Sequence, residues 1–443
     1  MELRELRKYY NLCDPNEPVA PDDDRNVDLD ALGPPGRLVR GVNWVTKLAR
    51  RIELSDEPVC ELFTGLRGSG KSTELLRLAA RLRDPAGANL LPVLVNAEEV
   101  LDLANAIDVP DIVAAMLYET ERAVLRMEGR DPEDALREGY LPRLWAWLTR
   151  TDVNLRTASL GVQDKATGAG GNLVFEMKTR PTLRAQVRGI VSAHLTTFLE
   201  EAAVELTALR NRARDCGVAG LVVILDSLEK LRGTSSTWQN VLESAERVFG
   251  GGAPYLRLPV HVLYTVPPAV LSRRINNVYF MPMIKLRDRE GHPFAPGLAA
   301  ARALIERRVD PALLREILGP TSADERIERL VQWSGGYPRE LVRLLQAVIA
   351  GWDGGLPESA FARVFNEVAD EYRKVVPASA FAWLARVAVD RYLTLDDEHQ
   401  QQSADLMLSN NVVLRYLNDR DWFDLHPAVR EIPGVKEAIA RLR

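Results

Sequence analysis

Gly65-Leu66-Arg67-Gly68-Ser69-Gly70-Lys71-Ser72 spells G-x-x-x-x-G-K-S, a complete phosphate-binding loop. The chemistry it can do is to hold a nucleoside triphosphate with Mg²⁺. Its glycines let backbone N–H groups wrap the phosphates with no Cβ in the way. Lys71 reaches the β- and γ-phosphates, Ser72 places its hydroxyl on the metal, and Thr73 is the next residue of the same set. Such a loop works only between a strand and a helix. Val59-Cys60-Glu61-Leu62-Phe63-Thr64 has the composition of a buried strand, and Ser72 to Leu82 carries apolar residues at helical spacing. Strand, loop and helix together aim a helix N-terminus at an anion.

A second group of residues suits the same chemistry. The apolar run Leu221-Val222-Val223-Ile224-Leu225 ends in Asp226, which delivers a carboxylate to the rim of a sheet. Asp226 would hold Mg²⁺, usually through water. Glu229, three residues on, is placed to polarise an attacking water. Pro259 to Thr265 is a further apolar strand, and Thr265 ends it with a hydroxyl. Ser334-Gly335-Gly336-Tyr337-Pro338-Arg339-Glu340-Leu341 opens a helix at Pro338, and the planar fork of Arg339 suits phosphate oxygens.

These motifs resemble the STAND and AAA+ classes of P-loop ATPase. Asp226-Ser227-Leu228-Glu229 is similar to the Walker B element of the NACHT branch of STAND proteins. Lys230 stands where that branch usually has another acid, and Ser227 stands where ordinary AAA+ proteins place a glutamate. The resemblance implies that Thr265 is the sensor-1 residue and that Pro338 and Arg339 belong to a lid motif of the STAND and origin-recognition kind. It also implies that Arg40 and Gly41 line the adenine pocket. It covers roughly residues 40–352 and a winged-helix tail. ATP and Mg are the implied ligands, and the catalytic set is Lys71, Asp226, Glu229 and Thr265. The implied function is a slow ATP-hydrolysing switch whose nucleotide-dependent homo-oligomer regulates a separate effector protein, in bacterial signalling or antiphage defence. The alternative is a nucleic-acid-associated ATPase, either a replication initiator or a transposition regulator. A P-loop small-molecule kinase fits this architecture poorly.

Composition agrees with a cytoplasmic protein of several domains. The 443 residues are 46% hydrophobic and 27% charged, and no apolar run is long enough to span a bilayer. Cys13, Cys60 and Cys216 lie far apart, which argues against a disulfide framework or a zinc site. A net charge of −5 gives no global nucleic-acid signature.

Strands alternating with helices from Arg40 to Pro296 predict an α/β fold with a P-loop NTPase parallel sheet. The expected divisions are an N-terminal helix and extended arm over 1–36 and the core over 37–296. A helical lid over 297–354 and a winged-helix domain over 355–443 follow. Within the core, an insertion spans about 140–216. Asp152 to Arg180 is read there as a β-hairpin from the alternation at Leu173 to Lys178, and Thr182 to Cys216 as one long helix. The insertion carries Arg143, Arg150, Arg156, Lys165, Lys178, Arg180, Arg184 and Arg188 against only Asp152, Asp164 and Glu176. That local excess could touch nucleic acid or an acidic protein. The winged helix is the opposite, with Asp396, Asp397, Glu398, Asp405, Asp419, Asp421 and Asp424, so phosphate would be repelled there. Arg273 and Arg274 are candidates for fingers toward a neighbouring nucleotide, or for surface salt bridges.

Overall fold

Buried apolar runs set the strands. Leu221 to Leu225 are each at most 1% exposed in the computed structural model. Such a run reads as a strand covered on both faces of a parallel sheet. The structure describes residues 3–29, 31–34, 37–135, 139–151, 173–231, 237–273, 278–395 and 398–442.

The N-terminal half contains α1 (Leu3–Leu12), α2 (Trp44–Glu53), β1 (Cys60–Gly65), α3 (Lys71–Arg83), β2 (Leu90–Asn96), α4 (Ala97–Val100) and α5 (Val109–Met127). The insertion holds α6 (Tyr140–Thr151), α7 (Leu173–Thr179), α8 (Pro181–Ala193) and α9 (Leu195–Asp215). Then come β3 (Gly220–Asp226), α10 (Trp238–Glu246), β4 (His261–Thr265) and β5 (Val278–Met281). The lid is α11 (Ala295–Glu306), α12 (Pro311–Leu318), α13 (Ala323–Ser334) and α14 (Pro338–Ala350). The tail is α15 (Glu358–Val375), α16 (Phe381–Asp390), α17 (Glu398–Ser409), β6 (Val413–Leu417), β7 (Asp421–Leu425), α18 (Pro427–Arg430) and α19 (Pro433–Leu442).

The chain divides into two compact units. The sheet unit is Leu48–Thr64 with Leu78–Tyr279. The loop-and-lid unit is Met1–Lys47, Gly65–Arg77 and Phe280–Arg443.

In the sheet unit the strand order is β2-β3-β4-β1-β5. The pairs β2·β3, β3·β4 and β4·β1 are parallel, so those strands end on one edge. Alternate strand residues Val93, Val95, Leu221, Val223, Leu225, Val262 and Tyr264 share one core with α5, α9 and the insertion helices. Asp108 caps α5 with a reciprocal box to Asp111, and Pro110 sits in its first turn.

Two insertion readings change. Leu173 to Thr179 is helical, and its buried residues Leu173, Val174 and Met177 fall at helical spacing on one face. Alternation over six residues cannot separate that face from a strand. The rest of the expected hairpin, including Arg156 and Lys165, lies outside the described residues, as do Asp396, Asp397 and Arg274. The single long helix is two, broken at His194, whose ψ of 31° leaves the helical region.

The loop-and-lid unit carries the lid and a winged helix with an antiparallel β6–β7 hairpin. Its joint is Ser334-Gly335-Gly336-Tyr337. Gly336 has φ +77°, its carbonyl accepts from the Ile284 N–H, and a Cβ there would sit 1.9 Å from the Ile284 oxygen. His426 sits fully buried, stacked 4.5 Å from the Tyr372 ring and edge-on to Tyr337. Its Nδ1 accepts from the Ala428 N–H at 3.2 Å. Its Nε2 has no hydrogen-bond partner among the described residues.

Burial, with the charge of Arg343 as a smaller cause, pushes the His426 imidazole down from 6.5 to about 3. The folded chain therefore keeps the ring neutral. Its contribution to stability is complete above pH 6.5 and is lost as pH falls toward 3, with a limiting slope of about 1.4 kcal/mol per pH unit. Replacing His426 by Phe should flatten the acid limb by up to that slope in denaturant titrations between pH 6.5 and 4. An unchanged pH dependence would contradict the buried neutral ring.

Candidate nucleotide site

β1 runs directly into the phosphate loop, and α3 starts at Lys71. Gly68 and Gly70 have φ of +75° and +94°, in the left-handed region. A Cβ on Gly68 would lie 2.6 Å from the Tyr337 ring and 2.7 Å from Arg339 Cβ. Lys71 is buried at 3% exposure and donates from Nζ to the Gly65 and Leu66 carbonyls at 3.0 and 3.2 Å. The Ser69 hydroxyl is buried and has no hydrogen-bond partner among the described residues. A glycine cradle, a cation folded onto the loop and a buried hydroxyl aimed at no protein group fit a loop built for phosphate.

Arg40 is 1% exposed and supports this loop from beneath. Its Nη2 donates to the Ser69 carbonyl at 2.6 Å, and its Nη1 pairs with Glu74 on α3 at 2.9 Å. Glu74 is shared with Arg77 at 2.7 Å, and Arg77 reaches Asp28 of the N-terminal arm at 2.6 Å. Gly41, next to Arg40, has φ +81° and packs against Leu417.

The lid motif meets the loop within the same unit. The Arg339 N–H donates to the Gly68 carbonyl at 3.3 Å, and its Nε donates to the Pro15 carbonyl at 3.1 Å. Pro338 opens α14. Three contacts were not legible in the sequence: the Val19 N–H on Thr73 Oγ1 at 3.2 Å, Pro15 beside Arg339, and Asn411 Nδ2 on the Arg67 carbonyl at 3.0 Å. The arm thus docks on its own chain, at the start of α3. Asn410-Asn411 was the available signal for the third, since Asn411 takes φ +55° in a turn.

Asp226, Glu229 and Thr265 lie together in the sheet unit. Asp226 ends β3 in register with Asn96 at the end of β2, and its carboxylate accepts from the Ser227 N–H at 2.7 Å. Ser227 has φ +73°, a strained value for a residue with a Cβ, at a cost of about 1–3 kcal/mol. That kink turns the chain into the single turn carrying Glu229, which is 9% exposed. Thr265 holds the kink. Its fully buried hydroxyl donates to the Leu225 carbonyl at 3.2 Å and accepts from the Leu228 N–H at 3.0 Å.

Five of the expected basic side chains are described, and each has a partner. In the sheet unit Arg143 pairs with Glu205, Arg180 with Glu176, Arg184 with Asp102 and Arg188 with Asp111. Lys178 donates to the Glu98 and Glu99 carbonyls. On the winged helix Asp424 pairs with Arg391 and Arg430, and Asp421 with Arg415. No described helix is long and apolar enough to cross a membrane.

The phosphate loop, the strand order, the helical lid and the winged helix define a P-loop ATPase fold of the AAA+ type. No protein-family model matches the chain, and no curated protein does. Solved structures do match over most of its length. The ADP form of the ORC2 protein of Aeropyrum pernix is 14% identical over 98% of both chains, with a TM-score of 0.40. A Walker-type ATPase of Pyrococcus abyssi is 14% identical over 89% of this chain and 94% of that one, with a TM-score of 0.35. The ORC1 protein of Aeropyrum pernix, solved in complex with DNA, is 14% identical over 90% and 93%, with a TM-score of 0.31. At these scores the fold assignment rests on the chain's own strand order and loop.

Thr265→Val keeps the shape and removes the hydroxyl, leaving the Leu228 N–H unsatisfied. It should destabilise the sheet unit by about 1–3 kcal/mol in denaturant unfolding, while Thr265→Ser should lose less. Equal stability of all three proteins would show that the clamp carries no load.

Proposed function

We propose that this protein binds ATP with Mg²⁺ and hydrolyses it slowly as a nucleotide-dependent switch of the AAA+ type. The observation that carries this reading is the phosphate loop itself: its positive-φ glycines, the buried Lys71 and the backbone N–H of Arg339 in the lid on the Gly68 carbonyl.

The loop's N–H groups and the α3 N-terminus would take the phosphates. Lys71 would exchange its two carbonyl partners for phosphate oxygens. Arg339 would place a planar cation beside them, which makes the lid responsive to nucleotide. Ser72 on α3 and Asp226 at the end of β3 are each proposed as a Mg²⁺ ligand, and a bound ion would offset charge on the phosphates. Glu229 would orient and deprotonate the attacking water, held by the turn that Thr265 fixes. Arg40 and Gly41 are proposed to serve the nucleoside end through the loop that Arg40 supports.

Nothing in the structure or the similarities speaks for a STAND switch or for antiphage defence. The alternative of a nucleic-acid-associated ATPase accompanies the origin-recognition likenesses. The DNA in the ORC1 structure is that protein's ligand. On this chain the described insertion residues expected to meet nucleic acid are paired internally. A DNA affinity that falls steeply with salt would restore that alternative, and no binding at low salt would remove it.

Lys71→Ala should weaken ATP binding by about two orders of magnitude, because the phosphates lose a charge-assisted partner worth about 1.5–3 kcal/mol. Glu229→Gln should retain ATP affinity and lower phosphate release on the order of a hundredfold. Nucleotide titration and phosphate-release assays check both. Wild-type hydrolysis by Lys71→Ala would remove the loop from the mechanism, and wild-type hydrolysis by Glu229→Gln would place the catalytic acid elsewhere.

A further inference from the structure

One short turn, α4, is fastened at three points in the sheet unit. At its start, Asn96 caps it by accepting from the Glu98 N–H at 3.2 Å, and the same side chain donates to Glu99 at 2.9 Å. Asn96 is also the register partner of Asp226. At its far end, Lys178 of the insertion helix α7 donates to the Glu98 and Glu99 carbonyls at 2.6 and 2.9 Å. On its side, the Glu98 carboxylate forms an ion pair with Lys230. Lys230 is the residue directly after Glu229, in the same tight turn, where its N–H donates to the Ser227 carbonyl at 3.0 Å.

These contacts form a continuous path. It runs from the insertion helix through Lys178, α4 and Glu98 to Lys230, which is covalently adjacent to the proposed catalytic acid. The cation there draws in a carboxylate from the neighbouring strand's helix.

We propose that Glu98 and Lys178 are positioning residues for ATP hydrolysis, through which the insertion sets the placement of Glu229. The inference rests on the ATPase reading above. Neither residue touches phosphate or metal. Both act on the Ser227–Lys230 turn, whose strained start at Ser227 makes it dependent on outside contacts to stay in place. A protein or ligand that pulls α7 away from α4 would slow hydrolysis without displacing nucleotide.

The expected size is modest, because partly exposed pairs are weak. Glu98→Gln and Lys178→Met should each lower kcat about fivefold, the rate equivalent of about 1 kcal/mol. KM for ATP and the affinity for a slowly hydrolysed analogue should stay unchanged. Lys178→Arg keeps a cationic donor and should keep kcat. Backbone amides of Lys230 and Leu231 should exchange hydrogen faster in Lys178→Met than in the wild type. The variants lie on the surface of α4 and α7, and an unchanged thermal midpoint separates positioning from loss of fold. Wild-type kcat in both variants would overturn the inference while leaving the ATPase reading intact. So would a parallel fall in kcat and nucleotide affinity, or a fall in kcat that Lys178→Arg shares. Absence of hydrolysis in the wild type would overturn the ATPase reading itself, and this inference with it.

Discussion

The phosphate loop depends on one buried cation. Arg40 spans the Ser69 carbonyl and the Glu74 carboxylate with almost no exposure. A guanidinium in that setting costs desolvation energy that only well-placed partners offset, and removing one partner of such a pair typically costs about 3–5 kcal/mol. Its planar fork reaches a carbonyl of the loop and a side chain of the following helix from two separate nitrogens. The loop is therefore fixed to α3 before any nucleotide arrives. Because Glu74 also holds Arg77, and Arg77 holds Asp28, the N-terminal arm is tied to the same network. The arm's proline-rich composition reads as an extended arm, and its buried Val19 and Leu29 and its bond to Thr73 make it part of the loop's surroundings.

Strain and support recur at the rim of the sheet. Ser227 adopts a left-handed conformation with no glycine to ease it, and the Thr265 hydroxyl closes the turn from the neighbouring strand. The position expected to sense phosphate thus already has a structural task. A hydroxyl with one donor and two lone pairs retains one acceptor site beyond these bonds. That remaining site only accepts, as a phosphate oxygen does, so direct sensing would require the hydroxyl to give up its bond to the Leu225 carbonyl, and the turn bearing Glu229 answers to whatever moves Thr265.

Much of this was legible in the sequence because it rests on local signals. The loop motif, four of the five strands and the lid helices follow from glycine spacing, apolar runs and periodicity. β5 was missed because Val278 to Met281 is only four residues long. The segment Leu173 to Thr179 was misread because a short apolar alternation fits a buried helical face equally well. The terminal helices α18 and α19 were not read, although Pro427 and Pro433 in their first turns are helix-start signals. Charge pairing was the least legible. The sequence shows a local basic excess around the insertion but not that Glu205, Asp102 and Asp111, distant in sequence, pair with Arg143, Arg184 and Arg188 in space. Arg40 shows the same limit. Its resemblance-based place beside adenine says nothing of Glu74, which lies 34 residues away.

The central claim is that the loop held by Arg40 is a working site for ATP with Mg²⁺. Thermal unfolding with and without the ligand tests it most directly, because a ligand that binds only the folded state stabilises it by mass action. At a hundredfold excess over its dissociation constant, Mg-ATP should add about 2.7 kcal/mol and raise the unfolding midpoint. The rise should depend on the triphosphate and not be reproduced by AMP. A midpoint unmoved by millimolar ATP and Mg²⁺ would contradict the account.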